Sequence, residues 1–196
     1  MTKLSVKFIA GLLVLLTSNL PAQDVRKPGE NEKGVSAKSS QDAGAKAESG
    51  SQANKRIEQA ADATVRLLAK DVAIHGKNVR YEPQPHKNTV GYWTDPKDWV
   101  SWDFKINQPG TFKVELTQAC GKGSGGSEYI VEIDDQALRD IVPDTGSFTN
   151  FINRTIGQVK LAKPGNYTVS VKPIKKPGQA VMDLRAITLT PVTETR

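Results

Sequence analysis

Tyr92-Trp93-Thr94-Asp95-Pro96-Lys97-Asp98-Trp99-Val100-Ser101-Trp102-Asp103-Phe104-Lys105-Ile106 holds all three tryptophans of the 196-residue chain. From Trp99 onward the residues alternate. Val100, Trp102, Phe104 and Ile106 fall on one face of an extended segment, and Trp99, Ser101, Asp103 and Lys105 on the other. This period of two predicts a half-buried strand, with the first set in the core. Trp99, together with Tyr92 and Trp93 in the loop before it, is left over as aromatic surface, where flat rings offer large contact area at low entropic cost.

Short β-branched and aromatic runs punctuated by Pro, Gly and Asn continue on both sides of this stretch, which predicts an antiparallel sandwich. The runs are Val65–Leu68, Val79–Glu82, Trp99–Ile106, Thr111–Cys120, Glu128–Ile133, Gln136–Val142, Arg154–Leu161, Tyr167–Pro173 and Met182–Leu189. Two of them open alike, after Pro109-Gly110 and Pro164-Gly165, and deliver the inward rows Phe112, Val114, Leu116 and Tyr167, Val169, Val171. In the last run Met182 and Leu184 lie on one parity and Ile187 and Leu189 on the other, so a bulge is expected near Arg185–Ala186. Asp183 then sits among apolar neighbours and needs a partner, either Arg185, another basic group or a bound cation.

The rest of the chain is organised around this domain. Residues 1–22 carry a basic start, the apolar run Phe8–Leu16 and a small-residue exit, the pattern of a secretory signal cleaved near Ala22. The run is too short for a permanent membrane span. Residues 23–61 are rich in Gln, Lys, Glu, Ala, Gly and Ser and bury too little to offset their ordering entropy, so they read as a disordered tether. The sandwich domain is assigned to residues 62–191 and a tail to 192–196. The expected location is outside the cytoplasm, periplasmic or extracellular.

Several chemistries are excluded. The formal net charge of +6 is spread over signal and tether as well as domain, and the one dense basic group, Lys172, Lys175 and Lys176, flanks a Pro-Gly turn, so nucleic-acid binding is not indicated. One cysteine and two histidines give no zinc spacing. Cys120 shares the parity of Phe112, Val114 and Leu116 and is expected to be buried and inert. Gly121-Lys-Gly-Ser-Gly-Gly-Ser127 lacks the spacing of a phosphate-binding loop and reads as a flexible connection.

Leu68–Gly76 (Leu-Ala-Lys-Asp-Val-Ala-Ile-His-Gly), Val79–Glu82, Gly91–Trp93, Asp98–Trp102 (Asp-Trp-Val-Ser-Trp), Pro109–Phe112 and Val181–Leu184 (Val-Met-Asp-Leu) together resemble galactose-binding-like jelly rolls. These are carbohydrate-binding modules of the family 6 and family 35 type, as appended to bacterial secreted sulfatases and fucosidases. The resemblance covers residues 64–191 and implies an all-β jelly-roll sandwich. It also implies a structural calcium between the first and last strands, with a Glu directly after the Ala of the first strand. Lys70 stands at that place here, which leaves Asp71 and Asp183 as the metal-ligand candidates. The sulfatase signature, Cys or Ser followed by x-Pro-x-Arg, is absent, and Cys120-Gly-Lys-Gly-Ser does not replace it.

The sequence therefore points to an exported, non-catalytic module that binds a polysaccharide or other glycan. Tyr92, Trp93 and Trp99 are expected to form an aromatic platform, with Asp95, Asp98, Arg80 and Asn88 as the polar groups for hydroxyls. Two alternatives use the same residues differently: docking onto an envelope protein with the aromatics as hot spots, or a small hydrolase pairing Asp or Glu with His86.

Overall fold

The alternating run Trp99–Ile106 becomes an interior strand of one sheet, paired along both edges. The structure, a computed structural model, describes residues 56–193, all within the unit Glu48–Arg196. The signal sequence, most of the tether and the end of the tail lie outside the described residues.

Among the described residues twelve strands follow in order: β1 (Ile57–Glu58), β2 (Val65–Leu68), β3 (Ala73–His75), β4 (Arg80–Glu82), β5 (Thr89–Gly91), β6 (Trp99–Ile106), β7 (Gly110–Cys120), β8 (Glu128–Ile133), β9 (Gln136–Ile141), β10 (Ser147–Leu161), β11 (Gly165–Lys175) and β12 (Asp183–Pro191). One 3-10 turn, Ala69–Asp71, links β2 to β3. The strands form two six-stranded sheets, the sandwich that the alternation predicts and the jelly roll that the resemblance implies.

In the first sheet the order is β1-β6-β11-β8-β9, and β3 shares the free edge of β6 with β1. In the second the order is β10-β7-β12-β5-β4, and β2 shares the edge of β12 with β5. Pairing is antiparallel throughout except for β1 on β6. The core is filled from both sheets by residues such as Trp102, Phe104, Phe112, Leu116, Val169 and Ile187, all at most 1% exposed.

Most of the predicted strands stand with their ends shifted by a few residues. The bulge expected in the last strand lies between Leu184 and Ala186, where the register with β7 slips. Cys120 is buried, and burial together with Asp144 and Asp183 pushes its thiol up to about 11.

Three differences have physical causes. Residues 57–61, expected in the tether, belong to the fold: Ile57 and Glu58 pair with β6, and Gln59 accepts the amides of Asn107 and Gln108 at 2.9 and 2.7 Å through Oε1. β3 and β5 are three-residue strands defined by their partners more than by local pattern. β10 starts at Ser147, because its first half continues to pair with the end of β7 across a bulge, Ser147 opposite Cys120 and Ile152 opposite Gln118.

The loop Gly121–Ser127 is packed. Gly126 N–H donates to the Val142 carbonyl at 2.8 Å, and an ideal Cβ on Gly125 would meet the Asp144 backbone nitrogen at 2.7 Å. Its glycines serve close approach of neighbouring segments.

Candidate functional site

Alternation along β4, β5 and β12 sets the site. Val90 and Leu184 are opposite one another and fully buried in the core, so their neighbours Gly91 and Asp183 point to the other face of the sheet. Arg80 and Glu82, paired with Gly91 and Thr89, point the same way. There the chain forms a pocket of about 470 Å3 whose lining includes Glu82, Lys87, Tyr92, Phe148, Gln179 and Asp183.

Glycines make room for the polar floor and one aromatic wall. A Cβ on Gly91 would lie 1.9 Å from Glu82 Oε1 and 3.0 Å from Asp183 Oδ1, so no larger residue is accommodated without moving these carboxylates. A Cβ on Gly121 would meet the Phe148 ring at 2.4 Å, so the absent side chain lets that ring lie against the strand end.

Lys87 is the partner that Asp183 requires. Its ammonium bonds Asp183 and lies 3.4 Å from Glu82 Oε1. It also stands 5.7 Å from the centre of the Phe148 ring. Burial pushes Asp183 up to about 6 although Lys87 opposes the shift; Lys87 itself is raised because Asp183 and Glu82 outweigh its own burial. Arg185, the other partner considered for Asp183, instead holds the loop that carries Lys87. Its guanidinium donates to the His86 and Lys87 carbonyls at 3.0 and 2.9 Å and lies 3.5 Å over the Phe151 ring.

Tyr92 forms the other aromatic wall. It is 51% exposed and has φ of 52°, an uncommon left-handed conformation for a bulky residue. Arg80 lies 3.5 Å over the ring. A guanidinium over one face of the ring holds it in place.

The expected platform of three aromatics is not formed. Trp93 is fully buried and donates Nε1–H to the Asp98 carbonyl at 2.9 Å, because the left-handed turn at Tyr92 throws consecutive rings to opposite sides. Trp99 lies on the outer face of the other sheet. His75 stacks on it with ring centres 3.6 Å apart, so one of its flat faces is occupied, and the Lys172 ammonium is 5.3 Å from its centre. Burial pushes His75 down, and its Nε2 is 2.8 Å from Ser101 Oγ.

One of the expected polar contacts is corrected likewise. Asp98 is 3% exposed and accepts the amides of Lys77, Asn78 and Val79 at 3.0, 2.8 and 2.9 Å. Burial raises its carboxyl, but these three amides outweigh it and hold it below the usual range. Asp98 is thus a turn-forming residue. Asp95 accepts the Lys97 amide at 2.9 Å in a local turn. Asn88 accepts the Tyr81 hydroxyl at 2.7 Å beside the loop that carries Lys87. Of the residues singled out in the sequence as ligand contacts, Tyr92 lines the pocket and Arg80 braces it.

The residues do not fit the calcium that the resemblance implies. Asp183 is bonded to an ammonium, Lys70 is exposed, and among the described residues no group of three His, Cys, Asp or Glu stands together as a ligand set. His86 is exposed and enters the fold through its carbonyl. Among the described residues no helix is long and apolar enough to cross a membrane.

No curated protein matches this sequence. Among solved structures, the chain is similar to the C-terminal family 6 carbohydrate-binding module of a laminarinase from Zobellia galactanivorans, with TM-score 0.53 and 20% identity, covering 65% of this chain and 98% of that one. A family 35 module from Clostridium thermocellum gives TM-score 0.52 at 14% identity, covering 66% and 98%. A module of Cellvibrio mixtus lichenase 5A, solved with cellotriose, gives 0.51 at 19%, covering 65% and 97%. The fold is therefore the galactose-binding-like jelly roll of these modules. The family described as Domain of unknown function (DUF5077) matches residues 77–194, and the chain belongs to that family.

Proposed function

We propose that this protein is an exported, non-catalytic carbohydrate-binding module whose sugar site is the pocket between Tyr92 and Phe148. The observation that carries the reading is the half-exposed Tyr92 ring, braced by Arg80 and set beside a floor of hydrogen-bonding groups. Sugar recognition needs an apolar ring for the C–H face of a pyranose and fixed donors and acceptors for its hydroxyls. Glu82 and Asp183 supply acceptors, and Lys87 and Gln179 supply donors. The family 6 and family 35 folds support the same reading.

A hydrolase would need its two carboxylates free to flank a scissile bond. Here Lys87 bridges the nearest pair, which favours binding over cleavage.

The test is retention in affinity gels carrying soluble plant, algal and microbial polysaccharides, followed by calorimetric titration with the best oligosaccharide. Saturable binding is expected, and Tyr92→Ala should weaken it about tenfold, the loss of one stacking contact. Absence of retention across the panel would overturn the proposal.

A further inference from the structure

The pocket floor holds a cation that belongs to the chain itself. The Gly91 geometry, 1.9 Å to Glu82 Oε1 and 3.0 Å to Asp183 Oδ1, puts these two oxygens within about 5 Å of each other, the span that one calcium ion with oxygen ligands at roughly 2.3–2.6 Å would bridge. Both side chains are largely buried, at 13% and 4% exposed, so their mutual repulsion is poorly screened and a positive charge is required between them. Lys87 delivers that charge from a loop fixed in three ways. The Lys87 and Asn88 amides both donate to the Gln84 carbonyl at 2.8 Å, and Arg185 grips the His86 and Lys87 carbonyls from β12. The Phe148 ring adds a further electron-rich surface near the ammonium.

We infer that the Lys87 ammonium is a built-in substitute for a divalent cation: it bridges Glu82 and Asp183, ties residues 83–88 to β12, and keeps the pocket assembled without metal. This accounts for the misfit with calcium found above, since the acidic residue of the last strand is committed to an internal cation. The inference holds whatever ligand the pocket takes. A tethered cation also differs in behaviour from a bound ion, because it is neither diluted nor removed by chelation.

The experiment is thermal unfolding of the full chain, wild type and Lys87→Met, in about 5 mM calcium chloride or about 5 mM EDTA, a range in which a millimolar site would register. The wild-type midpoint should agree within about 1 °C in the two buffers. Lys87→Met, which keeps length and removes charge, should melt about 5 °C or more below wild type in EDTA and recover most of that difference in calcium, as one cation replaces the other. The double variant Lys87→Met/Asp183→Asn should show no calcium response. Lys87→Arg, which keeps the charge, should stay indifferent to calcium. If Lys87→Met fails to fold in EDTA but refolds in calcium, the inference stands in stronger form. A wild-type midpoint that rises in calcium, a Lys87→Met protein that loses no stability, or one that calcium does not rescue, would overturn it.

Discussion

Tyr92 and Trp93 are neighbours with opposite fates, and a single backbone conformation separates them. Tyr92 takes the left-handed turn and stays half exposed, while Trp93 passes into the core and ties its indole N–H to Asp98. A bulky residue in that conformation costs of order 1 kcal/mol and is found where the side chain's position has a use. Trp93→Ala should therefore cost about 3–5 kcal/mol in chemical denaturation, whereas Tyr92→Ala should stay within about 1 kcal/mol of wild type. The inward row from Val100 to Ile106 was legible in the sequence, because period two needs only local information. The sense of Trp93 was not, since nothing in Gly91-Tyr92-Trp93 marks a residue other than glycine as left-handed. Lys87 was equally hidden: it meets Asp183 across a separation of 96 residues, and no pattern within either segment pairs them.

Among the elements, the loop between β3 and β4 shows how much order one carboxylate can impose. Asp98 gathers the amides of residues 77–79, and a Cβ on Gly76 would lie 2.1 Å from its Oδ1, so the loop closes directly over the acid. The sequence pointed to Asp98 as a ligand contact, because an acidic residue in a turn looks the same whether it faces ligand or backbone. Its carboxyl is held below the ordinary value near 4, so its contribution to stability is present above that value and is lost as pH falls through the lowered one. Asp140 and Glu132 are held low as well: Arg154 outweighs the burial of Asp140, and Lys172 holds Glu132 down. Melting temperature should fall as pH drops below about 4, and Asp98→Asn should be less stable than wild type at neutral pH with a shallower acid dependence. Equal slopes for the two proteins would show that Asp98 does not carry this part of the acid response.

At the scale of the molecule, the two sheets divide the work. Their inner faces make one core, and β9 and β10 help close one side of it. Gln136 exchanges two hydrogen bonds with the Lys160 backbone at 2.9 and 2.8 Å, and Arg154 pairs with Asp140. Their outer faces differ. One carries the Trp99–His75 stack among polar residues, and the other carries the pocket with its aromatic walls and its internal ammonium. The sandwich was legible because most of its longer strands announce themselves locally, but the choice of outer face was not, because it depends on which loops fold over which sheet. On the proposed function, ligand binds on the Tyr92 side and not on the Trp99 side. The most direct measurement is affinity-gel retention of wild type, Tyr92→Ala and Trp99→Ala on the same polysaccharide, with folding of each verified by its melting curve. Tyr92→Ala should lose about tenfold in affinity while Trp99→Ala binds as wild type does. Loss of binding in Trp99→Ala with full retention in Tyr92→Ala would contradict it.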